Sequence, residues 1–239
     1  MLNRFLNALW PLRCIACSSP VEKEGFCNIC RETLVPASDV SCTQCGDVFL
    51  HLPTPIANFR CQACLLHPPP ISQTRSAFAY GGAIRDAIVA WKNKPRLDLG
   101  KTMATLMVQA LSDDWLLALP NETEIIAMPT SFRSGFNRGF NPAGQLARAI
   151  STHCGLRCTT NVLQLKRGIR PARGLSRQER LLRVRHGFTA NERALDKTLL
   201  LVDDVRTTGR TLHAASKSLK KAGAKEIYVA VLAAVPHSD

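Results

Sequence analysis

The stretch Thr198-Leu-Leu-Leu-Val-Asp203-Asp204-Val-Arg206-Thr207-Thr208-Gly209-Arg210-Thr211-Leu212 decides the fold. A continuous Leu-Leu-Leu-Val run bounded by turn residues suits a strand buried on both faces of a parallel sheet, and open α/β folds bind ligands at the carboxyl ends of such strands. Asp203 and Asp204 stand at that end. Adjacent strand residues point to opposite faces, so the two acids are expected to contact sugar hydroxyls or a magnesium ion separately rather than share one proton. Thr207, Thr208, Gly209, Arg210 and Thr211 then open a helix. Its free N–H groups, threonine hydroxyls and positive dipole end favour a phosphate dianion, and Gly209 lets the backbone come close to it.

The helix itself is legible downstream, because Leu212, Ala215, Leu219 and Ala222 share one face and Gly223 is placed to end it in a left-handed cap. Two other readings of the string compete. Thr208 could simply cap the helix. Alternatively, the apolar run ending in two acids could be the magnesium-binding strand of a P-loop ATPase, but the Gly-x-x-x-x-Gly-Lys-Ser/Thr loop this requires is absent from the chain. The string instead resembles the motif by which type I phosphoribosyltransferases bind phosphoribosyl pyrophosphate (PRPP). That resemblance implies that Asp203 and Asp204 contact the ribose hydroxyls, as candidate catalytic residues, and that residues 207–211 hold the 5′-phosphate. Arg206 departs from the family pattern, which usually has an apolar residue there.

The amino-terminal quarter has a different chemistry. Four Cys-x-x-Cys pairs, Cys14/Cys17, Cys27/Cys30, Cys42/Cys45 and Cys61/Cys64, hold eight of the ten cysteines. A two-residue gap lets both thiolates of a pair bind one ion, and two pairs complete a tetrahedral four-thiolate zinc site. Two structural zinc ions follow. Pairing in sequence is the simplest arrangement, yet an interleaved cross-brace would use the same ligands. A secreted disulfide framework is disfavoured, because Arg4 and asparagines interrupt the apolar residues 2–10, which suit a short amphipathic helix rather than a signal core. His51 and His67 lie near sites already filled by cysteines, and the isolated Cys154 and Cys158 read as buried thiols.

This division sets the domain plan: zinc-binding residues 1–67, a proline-rich linker over 68–74, and an α/β domain over 75–239, long enough for one core. Strands are expected near 76–80, 124–128, 198–203 and 226–235, with shorter ones at 162–165 and 186–190. Helices are expected at 83–91, 100–117, 143–151 and 209–222. The alternation predicts a mainly parallel sheet covered by helices on both faces. No apolar stretch reaches membrane-spanning length, so the expectation is a soluble cytoplasmic protein.

Net charge is +13 and strongly localised: residues 128–193 carry thirteen arginines and lysines against Glu179 and Glu192. Glycine and proline interrupt the series, as in a loop that clamps polyanions. Phe132, Phe136 and Phe140 interleave with Arg133 and Arg138 and can be read either as base-stacking platforms or as core.

Taken end to end, the chain resembles the ComF/GntX family. Besides the cysteine pairs and the acid-threonine motif, the resemblance rests on Phe78-Ala-Tyr80-Gly, Ile84-Arg85, Trp91-Lys92, Met128-Pro129, Arg138-Gly139-Phe140-Asn141, Gly174-Leu175-Ser176-Arg177 and Glu179-Arg180-Leu181. Pro142 replaces a glutamine common in that family, as Arg173 and Arg183 stand near positions where it has glutamine and asparagine. The resemblance implies a type I phosphoribosyltransferase-like sheet behind a double zinc ribbon, with PRPP, magnesium and single-stranded DNA as ligands and DNA-uptake or recombination proteins as partners of the zinc domain. Lys92, Arg133, Arg138, Lys166, Arg167, Arg177 and Arg180 are then the candidate cations for pyrophosphate or DNA. Two functions stay open: an accessory protein for internalised DNA in natural transformation, and an active phosphoribosyltransferase whose acceptor no residue string specifies.

Overall fold

A computed structural model describes residues 12–37, 40–50, 58–93, 97–111, 113–130, 139–166 and 187–237. Arg133, Arg138, Arg167, Arg177, Arg180, Phe132, Phe136, His51 and the expected amino-terminal helix lie outside them.

Four strands, β1 (Gln73–Ala79), β2 (Glu124–Ala127), β5 (Thr198–Arg206) and β6 (Glu226–Ala234), form one parallel sheet in the order β1-β6-β5-β2. The Leu-Leu-Leu-Val run is buried on both faces, as its unbroken hydrophobicity requires. Leu200 and Val202 join one core with helices α3 (Gly82–Asn93), α4 (Leu97–Ala110) and α6 (Pro142–Cys154). Leu199 and Leu201 join the other, where Leu212, Ala215 and Leu219 of α7 (Arg210–Lys221) pack beside a hairpin of β3 (Leu163–Leu165) and β4 (Phe188–Ala190). Gly223, at φ +91°, ends α7 where a left-handed residue was expected.

Three expectations shift. The helix expected over 100–117 is two, α4 and a short α5 (Asp113–Leu117), the second opening on two acidic residue types that suit a helix start. Strand β1 begins at Gln73, inside the stretch expected as linker, since buried Ile71 and the Ser72 N–H bonded to the Ile227 carbonyl already belong to the sheet. Strand β5 runs to Arg206 rather than ending at Asp203, because its residues stay paired with β6 as far as Ala234.

The cysteine-rich region is stitched to the sheet. Its two short helices, α1 (Asn28–Glu32) and α2 (Gln62–Leu66), each follow a cysteine, Cys27 and Cys61. Between them, residues 35–37 run beside edge strand β1, with the Ala37 N–H on the Ala77 carbonyl and the Ala79 N–H on the Val35 carbonyl. Residues 157–159 cover the opposite edge at Ile125. Both edges are thereby protected from pairing with another chain. No helix among the described residues is long and apolar enough to cross a membrane.

Candidate PRPP site and zinc centres

The acids emerge where β5 leaves the core. Asp204 forms an ion pair with Lys92 Nζ at 2.8 Å, both side chains largely covered. Lys92 arrives there because the preceding Trp91 is fully buried, donates from Nε1 to Gln145 Oε1 at 3.2 Å, and stacks on Phe140 with ring centroids 6.1 Å apart. Phe140 therefore serves packing. Asp203 Oδ1 accepts the Asp204 N–H at 2.9 Å, and burial, then the neighbouring Asp204 charge, pushes the Asp203 carboxyl up to about 8. The surroundings of the two acids differ: Asp204 has the Lys92 cation beside it, whereas Asp203 holds its proton above the usual carboxylate range. Their charges remain linked even though they sit on successive strand positions.

The loop of residues 207–209 follows. Gly209 is the N-cap of α7 in the left-handed conformation, φ +67°, and no side chain caps the helix. Thr208 thus leaves the first-turn N–H groups uncapped, and Thr207, Thr208, Arg210 and Thr211 are exposed around them. Uncapped N–H groups at a helix start attract an anion. Next to this loop, a 510 Å³ cleft lined by His67, Ile71, Arg206, Gly209 and Lys217 separates α7 from the second cysteine unit. Lys166 is exposed at the end of β3, and its N–H is bonded to the Gly187 carbonyl.

Arg206 is the residue whose role sequence reading missed. Its side chain is buried and binds Asp47 Oδ1 through Nη1 at 2.7 Å, the Cys45 carbonyl through Nε at 2.8 Å and the Thr207 carbonyl through Nη1 at 3.2 Å. A buried arginine needs a counter-charge, and the acid that pairs with it here, Asp47, is distant in the chain. The departure from an apolar residue at 206 was the only signal.

The cysteines gather in sequential pairs. The sulfurs of Cys14, Cys17, Cys27 and Cys30 lie within 4.8 Å of one another, and so do those of Cys42, Cys45, Cys61 and Cys64. A Zn–S distance of about 2.3 Å at a tetrahedral centre places sulfurs roughly 3.8 Å apart. Cys17 and Cys27 Sγ are 3.7 Å apart, as are Cys45 and Cys61 Sγ. Their acidities point the same way. Cys42 is pushed down to about 4, chiefly by its hydrogen bond with Cys45, whereas Cys45 is driven up by that same contact and by burial. Burial pushes Cys64 up to about 12. Four neighbouring thiolates coexist only around a cation, so both clusters fit structural zinc.

A double zinc ribbon model matches residues 5–65 and a phosphoribosyl transferase domain model matches residues 137–239. The chain is 28% identical over 225 residues to Competence protein F of Haemophilus influenzae, covering 91% of this chain and 94% of that protein. The resemblance to the ComF/GntX family therefore runs along most of the chain. DNA utilization protein YhgH of Salmonella typhi is 25% identical over 222 residues, 92% of this chain and 95% of its own. Competence protein ComFC of Streptococcus pneumoniae is 27% identical over 205 residues, 84% of each. The chain joins a parallel phosphoribosyl transferase sheet to a double zinc ribbon, and the ribbon reaches the loop at the end of β5 through Arg206.

Proposed function

We propose that this protein binds PRPP with magnesium across the carboxyl end of β5, binds single-stranded DNA on its basic surface, and serves DNA uptake in the cytoplasm during natural transformation. The observation that carries the PRPP reading is the acid pair leading directly into an uncapped helix start. Asp203 and Asp204 accept the ribose hydroxyls. The N–H groups and hydroxyls of residues 207–211 receive the 5′-phosphate. Lys92 leaves Asp204 for the pyrophosphate when the ligand enters. Magnesium binds through one or two carboxylates plus substrate phosphates, a donor class that Asp204 matches and that Asp203 would join on losing its proton, and it would neutralise pyrophosphate charge.

The DNA half is supported by the localised positive charge and by the relatives' names, which refer to competence and DNA utilization. Uptake or recombination proteins would dock on the zinc domain. A second reading, transfer of the phosphoribosyl group to a nitrogenous acceptor, is favoured by the acid pair near the end of β5, just ahead of the candidate phosphate loop, which would stabilise a ribose turning oxocarbenium-like.

Calorimetry of zinc-loaded protein with PRPP and magnesium tests the core of this reading. Wild type should give saturable heat, and Asp204→Asn should bind at least about tenfold more weakly, the loss of a charged hydrogen bond. No heat from folded, zinc-loaded wild type sinks the proposal. Single-strand affinity should fall steeply as salt rises, and a flat response removes the DNA half. Pyrophosphate release that depends on an acceptor and is lost in Asp204→Asn would promote the transfer reading.

A further inference from the structure

Arg206 lies between an anionic metal centre and the candidate anion-receiving loop. On one side is the second cysteine cluster, which carries a charge of about −2 when four thiolates surround one zinc ion. Asp47 adds a further negative charge there, with Oδ2 3.7 Å from Cys45 Sγ. On the other side is the loop of residues 207–209. The guanidinium contacts the Thr207 carbonyl, and a side chain on Gly209 would place its Cβ 2.9 Å from Arg206 Nη2. The same planar group thus binds the backbone of a zinc ligand, neutralises the acid beside that ligand, and packs beneath the loop.

We infer that Arg206 is a positioning residue that couples the second zinc ribbon to the loop of residues 207–211: the metal-filled cluster holds the loop in its anion-receiving shape, and an anion in the loop helps retain the metal. The inference rests on the reading of that loop as the phosphate site. Its physical basis is charge and geometry. Without the guanidinium, Asp47 faces a negatively charged cluster with no neutralising partner, the Cys45 carbonyl loses a donor, and the loop loses its support. Groups around metal ligands commonly alter metal affinity by about 10–100-fold when changed. Thermodynamic linkage then makes the coupling reciprocal.

The test uses full-length, zinc-loaded protein and follows zinc transfer to a coloured chelator alongside PRPP calorimetry. In Arg206→Met, which keeps the long apolar stem, one zinc per chain should leave about tenfold faster while the other is unchanged, and PRPP should bind about tenfold more weakly. Arg206→Lys, with the charge but not the fork, should restore zinc retention more than PRPP affinity. Adding Asp47→Asn to Arg206→Met should slow zinc loss again by removing the unpaired acid. Saturating PRPP should slow loss of that same zinc in wild type and not in Arg206→Met, a linkage that a purely structural arginine would not produce. Zinc release and PRPP affinity both within twofold of wild type in Arg206→Met would overturn the coupling. If wild type binds no PRPP, the phosphate reading fails, and unchanged zinc release in Arg206→Met independently removes the bridge.

Discussion

The two zinc ribbons are copies of one unit put to different uses. In ribbon one the Arg13–Pro20 bridge brackets Cys14 and Cys17; in ribbon two the Ser41–Val48 bridge brackets Cys42 and Cys45. Each knuckle turns on a left-handed residue straight after its second cysteine, Ser18 at φ +64° and Gly46 at φ +73°. Their surroundings differ. Ribbon one leaves Cys17 exposed and packs Ile15 and Phe26 toward α3, whereas ribbon two buries Cys42, Cys61 and Cys64. Ribbon two also docks on β1 through Thr74, on the chain after β6 through Val48 and Pro236, and on the candidate phosphate loop through Arg206. The duplicated metal site therefore does not imply a duplicated role; what each copy touches sets what its zinc supports.

Removing one ligand from each ribbon should break the symmetry most strongly. Cys64→Ser should cost about 4 kcal/mol, hence roughly 8–16 °C in Tm for a chain of this size, as expected for loss of a buried metal site. It should also weaken PRPP binding. Cys17→Ser, at an exposed ligand, should lose one zinc with a smaller drop in Tm and leave PRPP affinity within twofold. Differential scanning calorimetry, zinc analysis and PRPP titration of the two variants give the comparison, and equal losses would mean that the ribbons are interchangeable supports.

The knuckle turns sharpen the contrast. A Cβ on Gly46 would lie 2.5 Å from Thr74 Cγ2, so Gly46→Ala combines a strained left-handed alanine with a steric clash on β1. It should cost about 2–3 kcal/mol by denaturant unfolding. The equivalent position in ribbon one already carries Ser18, which is exposed. Ser18→Gly should leave stability unchanged or raise it by up to about 1 kcal/mol by relieving the same strain. A harmless Gly46→Ala would show that ribbon two is not held tightly against the sheet.

Sheet and metal clusters were legible for a common reason: each is written in local pattern. A Leu-Leu-Leu-Val run buried on both faces needs no distant information, and a two-residue cysteine gap states its own chelating geometry. What escaped was long-range pairing. Arg206 stood out as an oddity of its motif, but its partner Asp47 lies 159 residues earlier in the chain. Lys92 was grouped with cations for DNA or pyrophosphate, and only the packing of Trp91 against Gln145 and Phe140 brings it to Asp204. Pairing in sequence or across the cysteine pairs was undecidable from spacing and required the fold of each ribbon. Phe140 was balanced between stacking platform and core, because an aromatic between arginines serves either, and its contact with Trp91 decides that case.

The smallest effect should come from the contact through which ribbon one steadies α3. Thr33 Oγ1 accepts the Ala83 N–H at 3.3 Å and donates to the Cys30 carbonyl at 2.8 Å, so a hydroxyl from the ribbon satisfies a first-turn donor of a helix in the sheet domain. That is the work of an N-cap residue, performed from 50 positions away. Thr33→Ala should cost about 1 kcal/mol, the usual loss for a missing cap, and Thr33→Ser should recover most of it because the hydroxyl returns. Since Ala83 and Lys92 lie at opposite ends of the 12-residue α3, the ion pair with Asp204 should survive, and PRPP affinity should match wild type while the unfolding midpoint falls. Loss of PRPP affinity in Thr33→Ala would place ribbon one, too, in communication with the site, and the division of labour between the two copies would have to be abandoned.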